Sequence, residues 1–120
     1  MNSEIRTTGR FRREAKRLQK KFPSLKNDLT GLNNLLVNNP RLGSPLGKNF
    51  YKIRLQIASK GQSKSGGARV ISHVEVTFAK DKKEQSLIYL ASIFDKSEMS
   101  TVSDKGLKQL LAEIQQEFLL

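Results

Sequence analysis

The chain has 120 residues, no cysteine, and 22 Lys and Arg against 11 Asp and Glu, for a net charge of +11. That length supports one domain with a modest core, and the missing cysteines exclude disulfides, zinc–cysteine sites and thiol catalysis. The charge excess favours a polyanionic partner: nucleic acid first, an acidic protein second, an anionic membrane third.

The opening MNSEIRTTGR lacks the apolar core of a signal peptide, and no stretch reaches membrane-spanning length, so a cytoplasmic protein is expected. With His73 as the single histidine, one chain cannot supply a His pair for acid–base chemistry.

Residues 4–7 read as a short extended start. Phe11, Ala15, Leu18 and Phe22 then recur at helical spacing and form an apolar stripe. The rest of that helix is cationic: Arg10, Arg12, Arg13, Lys16, Arg17, Lys20 and Lys21, opposed only by Glu14. A charge run on a helix is ordinarily a solvated face; its single sign leaves a binding face open as well. Pro23 ends the helix, and the Ser24 hydroxyl is expected to cap the next one. Leu25, Leu29, Leu32, Leu35 and Leu36 give that second helix its apolar face, and the polar run 38–40 closes it.

The connection RLGSPLGKN leads into YKIRLQIA, where the period switches to two. Tyr51, Ile53, Leu55 and Ile57 point one way, and Lys52, Arg54 and Gln56 the other. After the loop SKGQSKSGGAR comes a second strand, with Val70, Val74, Val76 and Phe78 alternating with Arg69, Ile71, His73, Glu75 and Thr77. His73, on the polar side, reads as a surface residue. SLIYLASIF is nearly continuous apolar and reads as a central strand covered on most of both faces, with Tyr89 in the core. Leu107, Leu110, Leu111, Ile114 and Phe118 mark a C-terminal amphipathic helix opened near residues 101–104.

The predicted fold is α+β in the order β-α-α-β-β-β-α. It has a small antiparallel meander with an N-terminal helical hairpin and a C-terminal helix packed on one face. The opposite sheet face is expected to expose Lys52, Arg54 and Arg69.

The loop SKGQSKSGGAR raises the question of a nucleotide site. Gly61 and Gly66 have the glycine spacing of a P-loop, but Gly67 stands where the lysine is required, and Lys64–Ser65 falls inside the frame. A strand follows, so no helix N-terminus is available for a phosphate. Taken alone, the loop is a solvated hairpin connection whose glycines supply positive φ. With strand register added, Lys52, Arg54, Lys60, Lys64 and Arg69 can form one cationic concavity suited to an anion.

YKIRLQIASKGQSKSGGARVI, followed by the apolar strand and IFDKSEMSTVS, resembles the RelE/HigB toxins of bacterial type II toxin–antitoxin modules. The KSGG-x-RVI turn and the stretch from Ile93 through Lys96–Ser97–Glu98–Met99–Ser100 are similar to the HigB-like branch. In this order the features cover nearly the whole chain, residues 1–120, as a single RelE-like toxin domain. The resemblance implies a metal-independent, ribosome-dependent endoribonuclease (an mRNA interferase) that cuts mRNA in the A site, inhibits translation and is neutralised by a cognate antitoxin. It implies no cofactor, metal or membrane. It places the catalytic role on Lys52, Arg54 and Arg69, and substrate contacts on Lys60, Lys64 and Lys96. The basic helix, through Arg12, Arg13, Lys16, Arg17 and Lys20, is expected to grip rRNA phosphates. The arginine and tyrosine that RelE uses after its last strand fall on Ser97 and Ser103, and the tyrosine common in HigB-like relatives falls on Phe94. Lys52, set among cations, is therefore expected to accept the 2′-OH proton. Two alternatives share the body: a ParE-like gyrase-inhibiting toxin, and an RNA- or ribosome-binding module whose catalysis has decayed.

Overall fold

The computed structural model describes residues 2–60, 67–78 and 80–118. Those residues form an α+β fold of three α-helices, one short 3-10 turn (Ala58–Lys60) and one five-stranded mixed sheet. In chain order the elements are β1 (Asn2–Thr7), α1 (Gly9–Lys21), α2 (Leu25–Asn38), β2 (Ser44–Gly47), β3 (Phe50–Leu55), β4 (Ala68–Phe78), β5 (Glu84–Asp95) and α3 (Asp104–Phe118). The sheet order is β1-β5-β4-β3-β2.

The expected meander is β3-β4-β5, paired antiparallel throughout. Two features depart from the sequence reading. The N-terminal strand pairs parallel to β5, which makes the sheet mixed. The connection before β3 also contains a strand of its own, β2, antiparallel to β3. Gly47, Lys48 and Asn49 take positive φ in succession, and this tight reversal folds residues 44–47 back on β3. Two of those three are not glycine, so the turn carries only a weak sequence signature.

Helix α1 starts at Thr8, whose hydroxyl oxygen accepts the Phe11 N–H at 3.1 Å. The same hydroxyl lies 3.3 Å from the Leu90 and Ala91 carbonyls, so one residue caps the helix and ties it to β5. Ser24 does not cap α2 through its side chain. Its hydroxyl donates to Asp28 Oδ2 at 2.7 Å and accepts the Ser59 N–H at 2.8 Å. Ser103 does cap α3, accepting the Gly106 N–H at 3.1 Å.

The helices lie on both faces of the sheet, not on one. Phe11 and Leu18 of α1 and Phe22, which caps its C-terminus, with Leu25, Leu32 and Leu36 of α2, pack on Ile53, Leu55, Val70, Val74, Ile88, Leu90 and Ile93. Leu107, Leu110 and Ile114 of α3 pack on Phe50, Ile71, Tyr89, Ala91 and Phe94, the opposite set. A strand buried on both faces needs two covers, and each such apolar side chain contributes roughly 1.5–3 kcal/mol. Between Ile71 and Ser72 the β4–β5 register shifts by a bulge, which lets both faces of β5 stay apolar across it.

Candidate functional site

Lys52 and Arg54 sit on the α3 face of β3, alternating with the core residue Ile53. Across the ladder Lys52 faces Ile71, and Arg54 faces Arg69. Arg69 in turn faces Phe94 on β5. One row across the sheet therefore reads Arg54–Arg69–Phe94, and the adjacent row begins with Lys52. Two guanidinium groups directly opposite one another repel.

The three cations differ in exposure. Arg54 is exposed and Lys52 half-buried, whereas Arg69, expected on an open face, is only 5 % exposed. Its partner across on β5, Phe94, belongs to the α3-face core. Burial, and after it the charge of Arg54, lower the proton affinity of the Arg69 guanidinium. Arg69 Nη1 donates to its neighbouring Ala68 carbonyl at 3.1 Å. Lys52 Nζ lies 3.4 Å from the Ser100 carbonyl, so the segment between β5 and α3 borders the cluster.

The flanking cations fall into three groups. Lys64 lies outside the described residues. Lys96 is exposed, and its backbone N–H donates to the Gly67 carbonyl at 3.1 Å. Lys60, expected to contact substrate, instead turns inward: Nζ lies 3.0 Å from Asp95 Oδ1 and 5.2 Å from the centre of the Phe22 ring, with its side chain 11 % exposed. An ammonium committed to a buried carboxylate is not available to an RNA phosphate.

The basic helix is largely answered by carboxylates from elsewhere in the chain. Arg10 makes a two-pronged pair with Glu113, both contacts 2.7 Å; its hydrogen bonds hold the Glu113 carboxyl below the usual range. Arg12 pairs with Glu117 at 3.2 Å, Arg17 with Glu98 at 3.1 Å, and Lys21 reaches Asp95 at 3.9 Å. Among the described residues, Arg13, Lys16 and Lys20 make no ion pair. The expected rRNA grip of α1 thus has three uncommitted cations, because α3 and the segment after β5 supply acids that helix periodicity cannot reveal.

His73 is a core residue, 2 % exposed, and not a surface one. Its ring centre lies 4.5 Å from that of Phe50, tilted by 59°, within the row Phe50–His73–Tyr89–Arg6. Burial pushes its pKa down, against the opposing charge of Glu75. Tyr89 is core, as expected, but its hydroxyl has no hydrogen-bond partner among the described residues. Phe94 is buried at 4 % and Ser103 is committed as a helix cap, so neither presents a proton-transfer group to the cluster.

No known protein-family model matches the chain. Among the described residues, no helix is long and apolar enough to cross a membrane.

Two carboxylates make ties that the sequence did not reveal. Glu14 meets the edge of β5 beyond the end of β1, where its Oε1 accepts the Ser92 hydroxyl at 2.9 Å and the Ile93 N–H at 3.3 Å. Burial raises its pKa against those hydrogen bonds. Asp95 ends β5 at 2 % exposure and holds Lys60. The available signal was a lone acid closing an apolar strand.

Proposed function

We propose that the chain is a RelE/HigB-type toxin: a metal-independent endoribonuclease that cleaves mRNA in the ribosomal A site and is neutralised by an acidic antitoxin in the bacterial cytoplasm. The observation that carries this reading is the Arg54–Arg69 pair facing each other across β3 and β4, with Lys52 one alternate position along. Guanidinium stays charged and binds two phosphate oxygens in a fork, so the exposed Arg54 is suited to meet charge growing on a phosphorane, with the buried Arg69 adding positive charge behind it.

In this reading the ribose 2′-oxygen attacks the adjacent phosphorus in line, and the bond to the 5′-oxygen breaks. A 2′,3′-cyclic phosphate and a 5′-hydroxyl end result. For Lys52 to take the 2′-OH proton its amine must first release its own proton to solvent; the leaving oxygen receives a proton from solvent or the ribosome. With no proton from Phe94 or Ser103, this reading calls on the ribosome to align the message.

The test is expression without a partner, with growth scored alongside mapping of mRNA 5′ ends inside ribosome-protected codons. Growth arrest with new 5′-hydroxyl ends in A-site codons is the expected result. Ribosome binding without new ends replaces this reading with that of an RNA-binding module. Gyrase-dependent DNA breaks with intact mRNA replace it with the gyrase-directed one.

A further inference from the structure

We propose that Asp95 is a positioning residue for the Lys52–Arg54–Arg69 cluster, acting through Lys60 and the turn after β5. The proposal rests on reading that cluster as an RNA-cleaving site. The Asp95 carboxylate makes two kinds of tie. Oδ1 accepts Lys60 Nζ at 3.0 Å, across 35 residues of sequence, and the Ser97 N–H at 3.0 Å. Oδ2 lies 3.9 Å from Lys21 Nζ at the end of α1.

Both connections beside the cluster close on these contacts. Lys60 Nζ and the Lys96 N–H converge on the Gly67 carbonyl, at 3.4 and 3.1 Å, which fixes the two ends of the β3–β4 connection. The Asp95 carbonyl accepts the Glu98 and Met99 N–H groups at 2.9 and 3.2 Å and so winds the turn after β5. The next residue is Ser100, whose carbonyl receives Lys52 Nζ. A continuous set of contacts therefore runs from Asp95 through the turn to Lys52.

Burial favours the neutral carboxyl, but hydrogen bonds from Ser97 and Lys60 outweigh it and hold Asp95 below the usual carboxylate range. Apolar side chains in place of a buried ion pair are often as stable or more so, so stability alone gives little reason for one. Its consequence here is geometric: a directed tie between two connections that flank one cluster.

The test compares wild type with Asp95→Ala, Lys60→Met and the double variant, by hydrogen exchange and by single-turnover mRNA cleavage on programmed ribosomes. Asp95→Ala leaves the Lys60 charge buried and is expected to lower the thermal midpoint; the double variant removes both charges and should recover it. In the double variant, amides 97–99 should exchange about tenfold faster while amides 70–74 keep their protection. Its cleavage rate at saturating ribosomes should stay down by about 100-fold, with the half-saturating concentration unchanged. Recovery of rate together with midpoint overturns the proposal, as does unchanged exchange at 97–99. A wild type that cuts no mRNA refutes the nuclease reading alone, and the exchange measurement then decides whether Asp95 holds the turn.

Discussion

Two regions of this molecule concentrate positive charge, and they resolve it differently. Along α1, Arg10, Arg12 and Arg17 each meet a glutamate from α3 or from the segment after β5. On β3 and β4, Arg54 meets Arg69. A run of cations in one helix looks like a binding face in sequence, yet much of it is a docking surface for the chain's own acids. The sheet cluster is less conspicuous, because its members lie 15 residues apart at the facing pair, but the ladder sets like charges opposite each other. Local charge density in the sequence thus does not show which charges meet; helix packing and strand register decide that.

The largest expected disturbance is at Gly67, where the connection beside the sheet cluster closes. Its φ is +66°, and an added Cβ would collide with the Leu55 carbonyl oxygen. Gly67→Ala should cost about 2–3 kcal/mol in chemical denaturation, combining strain with the clash. A change below about 0.5 kcal/mol would show that the backbone there relaxes freely.

On the helix side, Glu113→Ala breaks the two-pronged contact with Arg10, whose side chain is 37 % exposed. Because solvent screens that pair, the loss should be roughly 1 kcal/mol or less and should shrink in high salt. The double replacement Glu98→Gln with Glu117→Gln should barely alter stability but should steepen the salt dependence of non-specific RNA binding, by roughly 0.7 per added phosphate contact. An unchanged slope would show that α1 cations do not reach RNA even when released.

The smallest effect is on pH dependence. His73 has a lowered folded-state pKa, so the unfolded chain binds more protons once pH falls below the ordinary histidine value of 6.5. Stability from this group is present above that value and is lost as pH drops through the window down to the folded pKa. Thermal midpoints measured from pH 7.5 downward should therefore fall, and in His73→Phe the decline should be shallower over the same interval.

Much of the architecture was legible because periodicity reports it directly. The stripe Phe11–Ala15–Leu18–Phe22, the period-two alternation from Tyr51 and the apolar run ending at Phe94 became the expected elements, except that the strand begun at Tyr51 stops at Leu55, short of Ile57. Alternation shows that Arg69 and His73 share a side of β4, but not that both are buried there, since burial depends on what packs on the strand from elsewhere in the chain. Nor could it show β2, whose turn relies on positive φ at Lys48 and Asn49. The site was legible as far as Lys52, Arg54 and Arg69 on one face. The withdrawal of Lys60 into Asp95 was not, because every sequence neighbour of Lys60 suggests a solvated loop.

The central claim is that the sheet cations, and not those of α1, act on the scissile phosphate. Single-turnover cleavage of A-site mRNA on programmed ribosomes tests it most directly, comparing Arg54→Ala and Lys52→Ala with Arg17→Ala. All three side chains are partly or fully exposed, so the fold should survive each change. The account predicts a loss of about 100-fold or more at saturating ribosomes for each sheet variant, and less than about threefold for Arg17→Ala. Full cleavage by Arg54→Ala and Lys52→Ala, or a loss confined to Arg17→Ala, would contradict it.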